Sequence, residues 1–548
     1  TQGVIGFVTN AGWIDANTGD GLRKCLAEEF SSLYIFHLRG NQRTSGEKSR
    51  QEGGKIFGSG SRAPIAISLL VKNPKAEQQG QIYFHNIGDY LSREEKLNRI
   101  SELKSLQGIT AASGWTVITP DEHGDWINQR DDSFMEFITI GNKKDKSSKS
   151  LFMNYSHGLK SNRDAWTYNS SLLNLNANIK SLIDCYHQEL SKIQDLEDFD
   201  FDKNIEQSSQ KISWTRALKN DFLKERRIDE NKSENKIASY RPFTKQWLYY
   251  SPQLNELLGQ FPRIYPSREV NLTINLVGLG TPKSFSCLIT DTIPDVQIFA
   301  NAQCFPLHLY EEVNQDKQVG SGDLFDESLD LTVTETKYQR KDGISDEGLQ
   351  HFQTAYPNEQ ITKEDIFYYT YGLLHSEEYR TQYADNLTKE LPRIPCVKKA
   401  EDFWAFSKAG RDLAHWHLNY ETIEPYKATL DTGTKSYKEL LAEDFYVEKM
   451  KFVKKGEKGT VIYNKRITIR DIPLEAYEYV VNGKPALEWV MERQGVSTHK
   501  DSGIVNDAND WAIETMNNPA YPLELFLRVI TVSLETMKIV KALPKLDI

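Results

Sequence analysis

The sequence predicts an α/β fold in its first part, followed by a larger mixed α+β part with a helical C-terminus. Strand-like apolar runs alternate with helix-like stretches up to about residue 110, which is typical of a mainly parallel sheet. Beyond about residue 150, amphipathic helical patterns and short β-like runs follow no simple alternation. The polar stretch between about Thr119 and Ser150 is therefore the best domain boundary, and we expect an exposed linker there.

Four apolar runs define the expected strands of the first part. They are Gly3–Asn10, which looks buried, Leu33–Leu38, Ile65–Val71 and Gln81–Ile87. A helical stretch ending at Leu22–Lys24 separates the first two runs, and another helix begins near Ser92. Together these runs predict strand–helix–strand units.

The second part contains four clear local signals. Apolar residues recur at three-to-four spacing over Leu172–Ile193, which predicts an amphipathic helix. Thr362, with Asp365 three residues later, can cap a further helix. Lys451–Ile469 predicts a hairpin, and Leu523–Val540 predicts a terminal helix between two prolines.

Composition limits the class of protein. The 548 residues include 67 Lys and Arg against 77 Asp and Glu, a net charge of −10, so any DNA-binding surface must concentrate its positive charge locally. The five cysteines form no CxxC pair, which argues against a zinc ribbon or a disulfide framework and fits a reducing cytoplasm. No run of eighteen apolar residues occurs, so we expect no membrane span.

The loop between Arg39 and Arg62 combines six basic residues and six glycines with only two acidic residues. Glycines allow close approach to a ligand, and basic groups suit phosphates. The alternative is a mobile, solvated crossover loop. The basic residues are Arg39, Arg43, Lys48, Arg50, Lys55 and Arg62.

Two further windows, 142–163 and 449–470, are strongly basic. Each could be only a solvated face, but in the second window basic groups alternate with strand-like residues, and such a ribbon could enter a groove or follow phosphates. Asn and Arg side chains can also pair with base edges. The candidate DNA-binding residues beyond the first loop are Lys160, Asn162, Arg163, Arg241, Lys245, Lys451, Lys454, Lys455, Asn464 and Arg466.

Three other patterns predict turns or structural residues. The GSGS run at 58–61 lacks a following helix, and GLGTPKS at 278–284 has a proline where a phosphate-binding loop needs glycine. His415 and His417 lie two apart, so on a helix they point away from each other. We therefore predict no ATP site in this chain and no metal.

The order of strands in the first part resembles the distal motifs of amino-group DNA adenine methyltransferases, a half of a Rossmann-like sheet. In that family an aromatic residue just before the strand of the eighth motif stacks on the flipped base, and Phe57 matches this position. Phe57 could instead plug the end of the strand. The glycine-rich S-adenosylmethionine loop and the Asn-Pro-Pro-Tyr motif occur nowhere in the chain, so we expect a fragment without catalytic residues.

Long strings after residue 150 resemble single-chain Type ISP restriction–modification enzymes. They include SHGLKSNRDAW at 156–166, YRPFTKQWLYYS at 240–251, FPRIYP at 261–266 and GRDLAHWHLNYE at 410–421. The resemblance implies a methyltransferase end over residues 1–140, linker included, and a target-recognition domain over 150–548. It also implies that the parent enzyme methylates adenine from S-adenosylmethionine and uses ATP and Mg²⁺ to translocate and cleave. Its implied partners are double-stranded DNA and upstream domains of the same polypeptide.

Three other functions stay open on sequence alone. A Type IIG restriction–modification protein would share both parts but have no motor. A stand-alone DNA-specificity module would use the methyltransferase remnant only as a scaffold. An interaction protein that does not touch DNA would show no steep salt-dependent binding to duplex.

Overall fold

The computed structural model describes residues 2–44, 46–58, 60–143, 145, 148–193, 199–230, 234–266, 269–281, 283–313, 338–454 and 456–548. Within these ranges the chain forms a small part built on one sheet, up to about residue 130, and a larger part that follows it. Every helix in these ranges is too short or too polar to span a lipid bilayer. Each of the five cysteines is free.

The small part is a five-stranded sheet with the strand order β1-β3-β2-β4-β5. Its strands are β1 Gly3–Asn10, β2 Ser32–Arg39, β3 Ile65–Lys72, β4 Gln81–Asn86 and β5 Thr116–Ile118. Its helices are α1 Asp20–Glu29, α2 Gly46–Glu52, α3 Arg93–Leu103 and α4 Leu106–Ala111. The predicted strands are confirmed, whereas α1 runs beyond the end that its sequence predicts.

The expectation of a mainly parallel sheet is wrong. β1, β2 and β4 run in the same direction, as strand–helix–strand units require. However, β3 lies between β1 and β2 and is antiparallel to both, and β5 is antiparallel to β4. Only β2 and β4 are parallel neighbours, because the later strand β3 occupies the gap between the first two.

The first strand is not buried, contrary to its apolar sequence. β1 pairs only with β3 and forms one edge of the sheet. Its side chains Val4, Ile5 and Val8 are each more than half exposed. Within the described residues this apolar edge is therefore uncovered, which is unusual for an ordinary surface.

The larger part contains several small sheets and a set of helices around three hydrophobic cores. Its strands are β6 Ile138–Thr139, β7 Ser156–His157, β8 Tyr168–Asn169, β9 Glu234–Arg241, β10 Thr244–Tyr250, β11 Thr273–Leu276, β12 Cys287–Thr290, β13 Ile293–Pro294, β14 Gln303–Pro306, β15 His308–Glu312, β16 Tyr338–Asp342, β17 Arg393–Ile394, β18 Thr429–Asp431, β19 Lys451–Phe452, β20 Val461–Ile462, β21 Thr468–Arg470, β22 Val480–Val481, β23 Lys484–Pro485, β24 Val496–Thr498 and β25 Val505–Asp507.

The helices of the larger part include the three that the sequence predicts. They are α5 Asp164–Thr167, α6 Leu172–Ile193, α7 Phe201–Asn204, α8 Arg216–Leu223, α9 Phe261–Ile264, α10 Asp346–Ala355, α11 Lys363–Leu373, α12 Glu377–Gln382, α13 Ala384–Lys389, α14 Ala400–Leu418, α15 Ala486–Arg493, α16 Ala508–Asp510 and α17 Tyr521–Lys541. Thr362 and Asp365 form the expected capping box at α11.

The two histidines of α14 have separate environments, as expected for residues two apart on a helix. His417 is buried between three elements: its Nδ1 lies 2.6 Å from the Tyr371 hydroxyl and its Nε2 lies 2.9 Å from Thr536 Oγ1. Burial lowers the pKa of His417 to about 3. His415 is exposed on the other side of the helix.

The expected linker is only partly exposed. Phe134, Ile138 and Ile140 are buried in a core of the larger part, and β6 pairs with β17. Its second half therefore belongs to the packing of the larger part, because these apolar side chains complete a core whose other members come from distant sequence.

A buried carboxylate joins the two parts. Asp125 Oδ1 accepts from Arg23 Nη2 and its Oδ2 accepts from Lys389 Nζ, both at 2.9 Å. The three side chains are 2%, 0% and 3% exposed. Asn17 Nδ2 also donates to the Lys389 carbonyl at 2.7 Å. Since α1 carries Arg23 and α13 ends at Lys389, this cluster fixes the small part against the larger one.

Replacing Asp125 by Asn tests this connection. The variant leaves two buried cations without their shared anion, so we expect the free energy of unfolding to fall by about 3–5 kcal/mol in urea titrations. The control is Glu29→Gln, which breaks the exposed Lys72–Glu29 pair of similar length and should cost less than about 1 kcal/mol. Equal, small losses in both variants would contradict a buried connection.

Candidate nucleic-acid interface

The basic loop between β2 and β3 is tied to its own chain. The buried Lys96 ammonium donates to the carbonyl oxygens of Glu52 and Gly54 at 2.7 and 2.8 Å. Burial lowers the pKa of Lys96 to about 8, against the opposing charge of Glu52. A Cβ on Gly53 or Gly54 would come within 2.4 Å of backbone atoms at residues 91–93. These two glycines therefore allow the loop to pack on the start of α3 rather than on a ligand.

After Ile56 the described residues of the loop are exposed as far as Arg62. We call residues 57–62 the open segment. Arg93 Nε donates to the Ile56 carbonyl at 2.7 Å, and the next side chain, Phe57, is 48% exposed. Gly58 and Gly60 have nothing within 4 Å of a Cβ position. A ring that plugged the end of β3 would be buried, so this exposure favours the base-stacking interpretation of Phe57.

The basic residues of this loop divide into occupied and free groups. The occupied ones are Arg39, which binds Asp89 and Asn86, Arg50, which binds Glu47, and Arg62, which donates to the Gln42 carbonyl. Arg43 and Lys48 are exposed and have no side-chain hydrogen bond or ion pair to any described residue. Lys55 also has no ion pair to a described residue, and Arg62 bonds only to a neutral carbonyl. Four of the six loop cations therefore have no carboxylate of the described residues within ion-pair distance.

The turn at residues 160–163 exposes two side chains and buries the other two. Lys160 and Asn162 are exposed, whereas Ser161 and Arg163 are buried. Asn162 adopts a positive φ of 56°, a conformation that Asn tolerates better than most residues. Arg163 is 4% exposed and its Nη2 donates to Thr215 Oγ1 at 2.5 Å. Arg163 therefore anchors the turn, and burial lowers the pKa of its guanidinium to about 10.

Arg241 and Lys245 are internal ion-pair residues. Arg241 bridges Asp295 at 2.8 Å and Asp164 at 3.3 Å, and Lys245 pairs with Glu421 at 3.0 Å. Burial, together with the charge of Asp164, raises the pKa of Asp295 to about 7. The structure thus places both cations among carboxylates of the chain rather than on an open face.

The window 449–470 forms strands β19 to β21 of a four-stranded sheet, so the predicted hairpin is confirmed. Most of its predicted DNA-binding groups have partners in the chain: Lys454 pairs with Glu457, Arg466 pairs with Asp444, and Asn464 bonds to the backbone at 444, 446, 466 and 467. Lys451 is exposed, and Lys455 lies outside the described residues.

An open cleft of about 820 Å³ lies beside the 160–163 turn. Its walls come from the start of α5, the end of α15 and the hairpin formed by β24, β25 and their connecting loop, which we call the 496–507 ribbon. The charged residues that line the cleft are Arg163, Lys449, Arg493, Asp164, Glu448, Glu492 and Asp501. Cations and carboxylates nearly balance there, which suits contacts with polar groups more than a row of phosphates.

None of the DNA-binding candidates predicted from the sequence lies in the 496–507 ribbon. Its sequence, VSTHKDSGIVND, contains the turn-forming Asp-Ser-Gly between two short β-branched runs. That pattern is a hairpin signal, but the ribbon has few basic residues, so a search for positive charge passes over it.

Comparison with known proteins identifies the family. The model of the Type ISP C-terminal specificity domain matches residues 150–525. The chain belongs to the Type ISP family. This confirms the resemblance seen in the sequence.

Solved structures agree with the Type ISP assignment. One is a nuclease-deletion mutant of the Type ISP enzyme LlaGI in complex with a DNA substrate mimic, with 38% sequence identity and a TM-score of 0.83. The match covers 100% of this chain and 39% of the LlaGI chain. A second is the ATP-dependent Type ISP enzyme LlaBIII bound to DNA, with 38% sequence identity and a TM-score of 0.84. The match covers 100% of this chain and 33% of the LlaBIII chain. A third is the DrdV–DNA complex, with 29% sequence identity and a TM-score of 0.79. The match covers 99% of this chain and 50% of the DrdV chain.

This Type ISP chain spans half or less of the length of these three structures. No curated protein sequence matches it. Among the residues that the structure describes, no group of His, Cys, Asp and Glu side chains is arranged to hold a metal ion.

Substitution of Arg241 distinguishes an internal role from a DNA contact. Arg241→Met leaves Asp164 and Asp295 unpaired, so we expect the free energy of unfolding to fall by about 3–5 kcal/mol. The exposed control Lys451→Met should change it by less than about 0.5 kcal/mol. Urea unfolding measures both. An Arg241→Met variant with unchanged stability but weaker duplex binding would contradict the internal role.

Proposed function

We propose that this chain reads a specific DNA sequence within a larger Type ISP polypeptide and holds the duplex for methylation of an adenine amino group. The main support is the specificity-domain match over residues 150–525. Two enzymes with 38% identity over the full chain have structures that contain DNA, which supports duplex DNA as the partner. ATP-driven translocation and cleavage belong, in this proposal, to the whole polypeptide.

Catalysis requires groups that these residues do not supply. The glycine-rich loop for the methyl donor and the Asn-Pro-Pro-Tyr motif do not occur in the 548 residues. The motifs that bind S-adenosylmethionine and orient the target amino group in such enzymes are therefore not among these residues. We derive no methyl-transfer step from them. In the proposed enzyme, this donor, ATP and Mg²⁺ bind to other parts of the polypeptide.

The uncovered edge strand β1 is a suitable surface for another part of the polypeptide to pack against. Val4 and Val8 are exposed on one face of β1 and Ile5 on the other, and an uncovered apolar edge strand favours association. We propose that another part of the same polypeptide covers β1 and completes the methyltransferase sheet. This arrangement would place Phe57 beside the site of chemistry.

In this proposal Phe57 holds the flipped adenine. An enzyme that modifies a base must take it out of the stack, and an aromatic face stabilises the extruded base. Phe57 has such an accessible face at the start of the open segment of the loop. The unpaired Arg43 and Lys48 would then contact backbone phosphates near the flipped nucleotide.

Binding of duplex DNA by the chain itself tests the proposal. We expect binding that weakens steeply with salt, because cations on the chain displace counterions from the phosphates. Fluorescence anisotropy between roughly 50 and 200 mM salt gives the slope. Absence of duplex binding at the low-salt end would contradict the proposal.

Phe57→Ala in the full-length polypeptide tests base stacking. Loss of one aromatic–base stack should slow methylation roughly ten- to a hundredfold and leave duplex affinity nearly unchanged. Leu22→Ala is the matched control, because Leu22 is 49% exposed in the same part of the chain. Methyl incorporation and anisotropy give the two values. Equal losses of methylation and binding would contradict the proposed role.

A further inference from the structure

We infer that the 496–507 ribbon enters the major groove of the bound duplex and reads base edges there, with Asn162 acting from the opposite wall of the cleft. This inference rests on the proposed DNA-reading function and names the element that performs it. Apart from Asn162, it assigns recognition to residues outside the basic windows.

The ribbon has the right dimensions for a groove. β24 and β25 pair only with each other and form a separate two-stranded antiparallel sheet. Two strands lie about 4.8 Å apart, and the major groove, about 12 Å wide, admits such a pair. No further strand within the described residues widens this sheet.

The base of the ribbon is fixed to the larger part on both strands. Asn506 Oδ1 accepts from the Ser170 amide at 2.7 Å, and the Val505 carbonyl accepts from Asn169 Nδ2 at 3.1 Å. On the other strand the Val496 amide donates to the Glu448 carbonyl at 2.9 Å. Base recognition depends on preorganised groups, and these bonds hold the ribbon in one position.

The tip of the ribbon is also ordered by its own contacts. The Gly503 amide donates to the His499 carbonyl at 2.8 Å, and His499 Nδ1 lies 3.0 Å from Ser502 Oγ. Gly503 adopts a positive φ of 71°, which closes the turn. These bonds engage His499 and Ser502 and leave the neighbouring polar side chains outward.

The outward side chains lack partners in the chain. Ser497, Thr498 and Lys500 are exposed, and their side chains have no hydrogen bond or ion pair to any described residue. Asn162, across the cleft, also has an amide without such a partner. Hydroxyl, ammonium and amide groups are the types that donate to and accept from base edges.

The charge of the cleft favours bases over phosphates. Four carboxylates stand beside three cations along its walls, so a phosphate row would meet repulsion there. Carboxylates do pair with cytosine amino groups, as Arg pairs with guanine and Asn with adenine. The mixed lining therefore suits a surface that reads sequence.

The test compares two double variants of the same chain. Thr498→Ala/Lys500→Ala removes one hydroxyl and one ammonium from the ribbon. The control, Lys427→Ala/Thr429→Ala, removes the same groups at the same spacing from two exposed residues that do not line the cleft. Selection from a random duplex pool with the wild-type chain first gives a bound motif, and anisotropy then gives affinities for that motif and a scrambled duplex.

We expect the ribbon variant to lose at least roughly tenfold of its preference for the motif over the scrambled duplex, while the control keeps it. Unchanged preference in the ribbon variant would overturn the inference and leave the proposed function standing. Equal weakening on both duplexes with a shallower salt slope would also overturn it, because it indicates a phosphate contact. A wild-type chain that selects no motif would overturn the proposed function itself.

Discussion

The buried carboxylate of Asp125 is the interaction on which the arrangement of this chain depends. It neutralises one cation from α1 and one from α13, and removing its charge would destabilise the burial of both cations. The open segment with Phe57 belongs to the small part and the cleft belongs to the larger part. Their relative position is therefore set at this cluster, together with the polar contacts around residues 131 and 386.

Several of the cations that the sequence predicts to bind DNA are used internally. Arg39, Arg241, Lys245 and Arg466 each bind carboxylates of their own chain. These four side chains are therefore not free to bind phosphates. Sequence recognition in the proposed function therefore relies on polar side chains held in fixed positions, and phosphate contacts supply only part of the affinity.

Local signals in the sequence predict local structure well. The period of apolar residues predicts α6, and the Thr362–Asp365 pair predicts the start of α11, because both depend on neighbouring residues alone. The position of β3 between β1 and β2 is set by long-range pairing, which no local pattern contains. For the same reason the exposure of β1 is missed, since its apolar sequence suggests burial without saying which neighbour covers it.

The same difference between local signals and long-range contacts applies to the candidate site. Residue type alone identifies Arg163 and Arg241 as possible DNA contacts, but their carboxylate or hydroxyl partners are brought together only by folding. The role of Phe57 stays a prediction, whereas the 496–507 ribbon has no cluster of basic residues and is missed by a search for positive charge. Its hairpin signal is present in the sequence, so turn chemistry would have located it.

In the proposed complex, Phe57 and the 496–507 ribbon contact the same duplex. The most direct measurement is photo-cross-linking of the chain to a duplex that carries photoreactive bases within its bound motif, with the attached peptides identified by mass spectrometry. We expect attachment both in the 53–62 segment and in the 496–507 segment on one duplex. Attachment confined to the 449–470 window, with neither of those segments labelled, would contradict it.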